Sequence, residues 1–131
     1  MKLILTLQEK TELLTTAFQY FAESLQCWEH QIDYENKDYK NAQVKLIKKR
    51  QSSLCREDVF ACIVLKGKGI KIIDCEDEDN VVVFNAALFN KNLPKCDPME
   101  VIKLLDDNGD YDYYTTDSIL QTLIFGEVIY G

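Results

Sequence analysis

Apolar residues recur at three- and four-residue spacing along the first third of the chain, the period of a helix that buries one face. Ahead of them, Thr6 and Glu9 have the spacing of a capping box, in which two side chains satisfy free backbone N–H groups at a helix start. The pattern predicts a first helix that begins after Thr6 and runs to about His30. Its buried positions are Leu14, Ala17, Phe18, Phe21, Ala22, Leu25 and Trp28.

A second helix is predicted over residues 34–50. At about 100° per residue, Tyr39, Ala42 and Leu46 fall on one side and the lysines fall on the other. A shorter apolar helix is predicted from Asp58 to Leu65, ending at Gly67. Because a short apolar run does not fix the period, the same segment also fits a strand.

Two runs rich in β-branched residues, 69–74 and 81–84, flank an acidic hexapeptide and predict a β-hairpin with a long acidic tip. An isolated hairpin is marginally stable, so a third strand is expected, and Met1–Leu5 is the candidate. Capping residues at Asn85, Asp97 and Thr116 predict three further helices. The predicted fold is α+β, a mainly helical single domain over residues 1–131 with a small antiparallel sheet of two or three strands.

Composition supports a packed interior, since 47% of the 131 residues are hydrophobic. The longest apolar run, Val59–Leu65, is too short to cross a bilayer, and no signal peptide is evident after Lys2. Five cysteines without a CxxC pair are typical of reduced thiols. We therefore expect a soluble, cytoplasmic protein.

Charge is sorted into blocks along the chain. Residues 37–71 contain ten Lys and Arg against three Asp and Glu, whereas residues 74–117 contain twelve Asp and Glu against three Lys. The overall charge of −7 argues against non-specific nucleic-acid binding by the whole molecule. It leaves open a local contact between the basic block and an RNA or DNA backbone. Surfaces biased in sign steer partners and reject wrong ones.

The segment from Asp106 to Asp117 places acidic or amide side chains at several calcium-ligand positions of an EF-hand loop. Tyr111, however, stands where that loop requires glycine, and Asp117 is shorter than the usual bidentate glutamate. A calcium-modulated module is retained as an alternative. His30 is the sole histidine, and the chain has no nucleophile elbow, phosphate-binding loop or paired zinc ligands. The sequence predicts no enzyme activity, no cofactor and no resident metal.

Three groups of residues are predicted to contact a protein partner. Tyrosines among the acids add contact area at low entropic cost, and the alternative is that some of these rings pack beneath the loop. The acidic group is Asp74, Glu76, Asp77, Glu78, Asp79, Asp106, Asp107, Asp110 and Asp112; the aromatic group is Tyr111, Tyr113 and Tyr114; the basic group is Lys37, Lys40, Lys45, Lys48, Lys49 and Arg50.

A compact, acidic chain without a catalytic motif resembles the small anti-defence proteins of phages and mobile elements, the anti-CRISPR and antirestriction inhibitors. The resemblance is one of overall character. It rests on no diagnostic motif, so it assigns no functional residue. It implies a non-enzymatic inhibitor or regulator that docks stoichiometrically on a nucleic-acid-handling protein or ribonucleoprotein. A small structural subunit of a larger complex is the other alternative, and no membrane partner is expected.

Overall fold

In the computed structural model, which describes residues 3–49, 54–106 and 111–131, helices pack on one face of a three-stranded antiparallel sheet. This confirms the predicted α+β, mainly helical fold. The helices are α1 (Leu7–Ala17), α2 (Phe21–Trp28), α3 (Asn36–Lys49), α4 (Arg56–Lys66), α5 (Ala86–Asn92), α6 (Pro98–Leu105) and α7 (Tyr113–Phe125). The strands are β1 (His30–Asp33), β2 (Ile70–Asp74) and β3 (Val81–Phe84), and short 3₁₀ turns cover Phe18–Tyr20 and Leu93–Lys95.

The third strand is β1, so the prediction of Met1–Leu5 was wrong. Strand β1 pairs with β2, His30 opposite Asp74 and Asp33 opposite Lys71, while the predicted hairpin joins β2 to β3. The sheet therefore has the order β1-β2-β3. Residues 3–5 are not in a strand, and the partly buried side chains of Leu3 and Leu5 pack against the hydrophobic core.

The first predicted helix is two helices. The capping box is present, with the Glu9 N–H donating to Thr6 Oγ1 at 3.1 Å and the Thr6 N–H to Glu9 Oε1 at 2.9 Å. A 3₁₀ turn at Phe18–Tyr20 then separates α1 from α2, and Ala22 is exposed rather than buried. Helix α2 ends at Trp28 because Glu29 adopts a left-handed conformation (φ 55°), which frees His30 to enter β1.

Helices α3 and α4 confirm the other local predictions. On α3, Ala42 is buried and Tyr39 and Leu46 are half-buried, whereas the described lysine side chains are exposed. The run Val59–Leu65 is helical, not a strand, and its residues from Val59 to Val64 are all buried. Asn85 and Asp97 cap α5 and α6 as predicted, since their side chains accept from Leu88 N–H and Met99 N–H.

Helix α7 begins earlier than predicted. Asp112, not Thr116, is its N-cap, and Asp112 Oδ1 accepts from the Thr115 N–H at 3.0 Å. Thr116 lies inside the helix, fully buried, and its hydroxyl donates to the Tyr113 carbonyl at 2.9 Å. Both residues are good capping types, and packing of the apolar residues that follow decides between them.

Aromatic rings fill the centre of the core. Phe18 contacts Phe21, Phe60 and Phe84 with ring centroids 4.7 to 6.2 Å apart, mostly edge to face. Full burial of one such side chain contributes roughly 1.5–3 kcal/mol. The rings thereby lock helices α1, α2 and α4 to the inner face of the sheet. Among the described residues, no helix combines the length and apolar character needed to cross a membrane.

Candidate partner-binding surface

The hairpin tip, residues 75–80, is ordered by its own carboxylates. Asp74 Oδ1 accepts from the Glu76 N–H at 2.9 Å and its Oδ2 accepts from the Asn80 side-chain amide at 3.3 Å. Asp77 Oδ1 accepts from the Asp79 N–H at 3.2 Å. The Glu76 N–H holds the pKa of Asp74 below its usual range, because that bond favours the charged carboxylate. The backbone of the tip and the carboxylates of Asp74 and Asp77 are therefore held in place.

Glu29 joins this cluster from the end of α2, and sequence reasoning missed it. Its carbonyl accepts from the Cys75 N–H at 2.9 Å, which ties the end of α2 to the tip. A hydrogen bond between the carboxyl groups of Glu29 and Glu76 raises the pKa of Glu76, and the negative charges of Glu29 and Asp74 add to the effect. We call the six carboxylates of this cluster the acidic tip. They are Glu29, Asp74, Glu76, Asp77, Glu78 and Asp79.

Exposed apolar residues lie beside the acidic tip on the outer face of the sheet. Val81 and Val83 are 40% and 46% exposed, and Ile73 on the neighbouring strand is half-buried. The inner face of the same strands is closed, with Ile72 and Phe84 fully buried. Alternation along the strands thus leaves apolar side chains uncovered next to charged ones.

The second predicted acidic segment is divided among several structural roles. Asp112 accepts from both the backbone N–H and the hydroxyl of Thr115, and these bonds lower its pKa. Asp106 is exposed just after α6. Asp107 and Asp110 lie outside the described residues. Asp112 is thus committed to the start of α7, and the acidic tip is ordered independently of it.

The three predicted aromatic contacts differ in exposure. The Tyr111 hydroxyl donates to Gln19 Oε1 at 2.8 Å, and Tyr113 packs edge to face against Tyr20, with centroids 6.1 Å apart. Desolvation, followed by a hydrogen bond with Cys27, raises the pKa of Tyr113 to about 12. Tyr114 is 76% exposed. Only Tyr114 of the three presents most of its ring to solvent.

Two of the carboxylates that match calcium-ligand positions of an EF-hand loop make hydrogen bonds within the protein instead. Asp112 caps α7, as described, and Asp117 lies in the second turn of that helix rather than in a loop. Asp117 Oδ1 accepts from the Trp28 indole N–H at 3.0 Å, and its Oδ2 accepts from Gln121 at 2.7 Å. Within the residues that the structure describes, no cluster of three or more metal-ligating side chains is present.

The predicted basic side chains lie on α3, which packs on α4 and begins three residues after β1 ends opposite Lys71. Lys37, Lys40, Lys45 and Lys48 are all exposed on α3. Lys37 pairs with Glu35 at 3.1 Å, and Lys37, with smaller contributions from Lys68 and Lys71, lowers the pKa of Glu35. Arg50 and the side chain of Lys49 lie outside the described residues. Strand β2 thus runs from a basic end at Lys71 to an acidic end at Asp74, about 10 Å away.

Comparison of this chain with protein-family models, with curated proteins and with solved structures finds no match.

Proposed function

We propose that this chain is a non-enzymatic binding protein that docks through the acidic tip on a basic, nucleic-acid-handling surface of another protein, as a stoichiometric inhibitor or regulator. The observation that carries the proposal is the cluster of six carboxylates, two of them held by backbone N–H groups, beside exposed Val81 and Val83. Such a target carries positive charge in order to bind phosphates, so an acidic surface is its electrostatic complement.

Preorganisation supports this use of the acidic tip. Because backbone N–H groups hold Asp74 and Asp77 in place, little conformational entropy remains to be lost on binding. The adjacent valines supply apolar area, which the centre of a stable interface requires and which carboxylates alone do not provide. Among the described residues, no lysine or arginine nitrogen lies within 4 Å of a carboxylate of the acidic tip. The negative electrostatic field of these carboxylates is therefore available to a partner.

The experiment is affinity capture from a lysate of the source cells with three baits, each with and without nuclease. The baits are the wild type, a variant that neutralises the tip (Glu76→Gln/Glu78→Gln/Asp79→Asn) and a matched control that removes three negative charges elsewhere (Glu12→Gln/Glu23→Gln/Asp33→Asn). We expect a partner that survives nuclease, is retained by the control and is lost with the tip variant.

Recovery of the same partner by the tip variant, or its loss on nuclease treatment, would contradict the proposal. For the purified pair, neutralising the tip is expected to slow association and to weaken its salt dependence, because charge at an interface rim acts mainly on the on-rate. Stopped-flow mixing at two ionic strengths measures both quantities.

A further inference from the structure

Helices α3 and α4 enclose a groove that brings together two basic segments distant in sequence. Two adjoining hollows of about 100 and 180 Å³ lie along it, and Lys45, Cys62 and Lys66 line both. Lys48 lines one hollow and Lys68 the other, while Leu46, Cys62 and Ile63 supply apolar surface. We call this feature the basic groove, with Lys45, Lys48, Lys66 and Lys68 as its cationic residues.

Lys68 is held at the groove by a tight glycine turn. The N–H groups of Gly67 and Gly69 both donate to the Ile63 carbonyl, each at 3.0 Å, at the end of α4. Gly69 has φ +88°, and a Cβ there would lie 2.5 Å from the Phe84 carbonyl oxygen. A Cβ on Gly67 would lie 2.8 Å from the Ile63 carbonyl oxygen. Both glycines are therefore required by the backbone path, which fixes the position of residue 68.

Positive charge in the basic groove is not neutralised from within. Asp38 is the one acidic residue among the described residues that line either hollow. Within residues 3–49, 54–106 and 111–131, no carboxylate lies within 4 Å of the ammonium groups of the four lysines. Lys37 and Lys71 extend the same field beyond the groove, as their effect on Glu35 shows. Along α3, Lys37 and Lys48 are about 16 Å apart.

We propose that the basic groove binds the phosphodiester backbone of a single nucleic-acid strand. Lysine binds phosphate as a point charge, and a row of such charges matches a row of phosphates. Tyrosine, phenylalanine and tryptophan are missing from the described lining, so bases have no stacking platform there and binding is independent of sequence. Each hollow is smaller than a nucleotide, so the strand lies across the groove with its phosphates at the lysines, and a flexible single strand follows that path more readily than a stiff duplex does.

This proposal does not rest on the proposed function, because the acidic tip and the basic groove share no residue. The net charge of −7 opposes binding of any polyanion. We therefore expect weak, salt-sensitive binding, with a Kd of about 10⁻⁵ to 10⁻⁴ M at low salt. Such a contact adds to a protein interface when the partner itself carries a nucleic acid.

The test is fluorescence anisotropy of labelled single-stranded DNA and RNA of about 12 nucleotides, titrated with the full chain at about 50 and 200 mM salt. The groove variant is Lys45→Gln/Lys66→Gln/Lys68→Gln, and the matched control is Lys91→Gln/Lys95→Gln/Lys103→Gln, whose lysines are exposed outside the groove. The groove variant is expected to bind at least about tenfold more weakly. The slope of log affinity against log salt should fall by about 2, or about 0.7 for each phosphate that the variant no longer neutralises.

The control variant is expected to stay within about twofold of the wild type, apart from the general effect of charge that both variants share. Thermal unfolding of both variants checks that each is folded. Absence of saturable binding at low salt, or an equal weakening in the control, overturns the proposal. So does tighter binding of duplex DNA, or equal competition by polyglutamate of the same charge, since that result indicates an acidic protein as the ligand.

The tip variant (Glu76→Gln/Glu78→Gln/Asp79→Asn) distinguishes failure of this proposal from failure of the proposed function. It is expected to keep or slightly increase its affinity for the labelled strand, because it is less negative. A tip variant that no longer captures the protein partner while it binds the strand normally supports both assignments. A tip variant that no longer binds the strand overturns the assignment of binding to the groove.

Discussion

Glu29 adopts a backbone conformation that ordinarily favours glycine, and it does so at the centre of a like-charged cluster. The left-handed region costs a non-glycine residue roughly 1–2 kcal/mol. At this position the Glu29 N–H donates to the Gln26 carbonyl and the Glu29 carbonyl accepts from Cys75. The backbone of Glu29 therefore both ends α2 and anchors the hairpin. Its carboxyl group also shares a hydrogen bond with Glu76.

Replacement Glu29→Gln is expected to flatten the dependence of stability on pH. The pKa of Glu76 is raised above 4.5 in the folded protein, so the folded state binds more protons there than the unfolded state does. The resulting stability is fully present below the unfolded pKa and is lost as pH rises through the folded pKa. Glutamine removes the like charge, so the fall in Tm over this window, measured from about pH 4 to 7, should become smaller.

Glu29→Gly separates backbone strain from charge. Both substitutions remove the carboxylate, but only glycine also relieves the left-handed conformation. At pH 7 the free energy of unfolding of the Glu29→Gly variant should therefore exceed that of the Glu29→Gln variant by up to about 1 kcal/mol. Urea unfolding of the three proteins measures this difference. Equal stability of the two variants would contradict the strain, and pH profiles parallel to the wild type would contradict the role of Glu29 in the titration.

Helix α7 and the segment after it are joined by one buried amide. Gln121 is fully buried, and its Oε1 accepts from the N–H groups of Ile129 and Tyr130, both at 2.8 Å. Its Nε2 donates to Asp117 and to the Tyr130 carbonyl. Tyr130 in turn stacks on Trp28, with centroids 6.4 Å apart. One side chain thereby fastens residues 129–130 over the end of the core.

Gln121→Leu is expected to destabilise the fold by about 1–3 kcal/mol, because it leaves the part-buried groups of Asp117, Ile129 and Tyr130 that bond to this amide without their partner. Hydrogen exchange at Ile129 and Tyr130 should accelerate more than exchange in α1. Gln26→Leu, at an exposed position on α2, is the control and should change stability by less than about 0.5 kcal/mol. A small effect of Gln121→Leu, with slow exchange retained at both residues, would show that packing of Tyr130 alone holds the segment.

Elements whose signals are local were predictable from the sequence, and elements fixed by distant contacts were not. The caps at Thr6, Asn85 and Asp97 use side chains within three residues of the N–H groups that they satisfy. Strand β1, by contrast, is four residues long, contains one aliphatic residue, Ile32, and pairs with a strand about forty residues away. The helical pattern of α2 continues up to this strand. Because the helix ends at a glutamate rather than at a glycine, the sequence contains no signal for the boundary between α2 and β1.

The candidate surfaces divide in the same way. The acidic residues of the hairpin tip were predictable because they are consecutive in sequence. Glu29 was not, because the tip acquires it through the pairing of β1 with β2. Likewise, the lysines of α3 follow from helical periodicity, whereas Lys66 and Lys68 reach the same groove only through the packing of α3 on α4.

Packing of the whole molecule divides its thiols into two classes. Cys27, Cys55 and Cys75 are exposed, whereas Cys62 and Cys96 are buried. Burial raises the pKa of Cys96 to about 12, so it is scarcely ionised at neutral pH, and the thiolate is the reactive form.

In the native protein we expect three of the five thiols to react rapidly with an aromatic disulfide reagent, and the remaining two only after unfolding in guanidinium. Absorbance of the released thiolate measures the number of reactive thiols, and mass spectrometry of the labelled peptides identifies the sites. Rapid labelling of Cys96 in the native state would show that the packing between α6, α7 and the turn before α6 opens readily.

The glycine turn at the end of α4 has a consequence for how this protein can change. Gly67 and Gly69 are confined to glycine by their backbone surroundings, whereas the side chain of Lys68 between them is exposed to solvent. Shape and charge are thus assigned to different positions of the same three-residue turn. Replacement of Lys68 by a neutral or an acidic residue lowers the charge of the groove by one or two units and leaves both glycines in place.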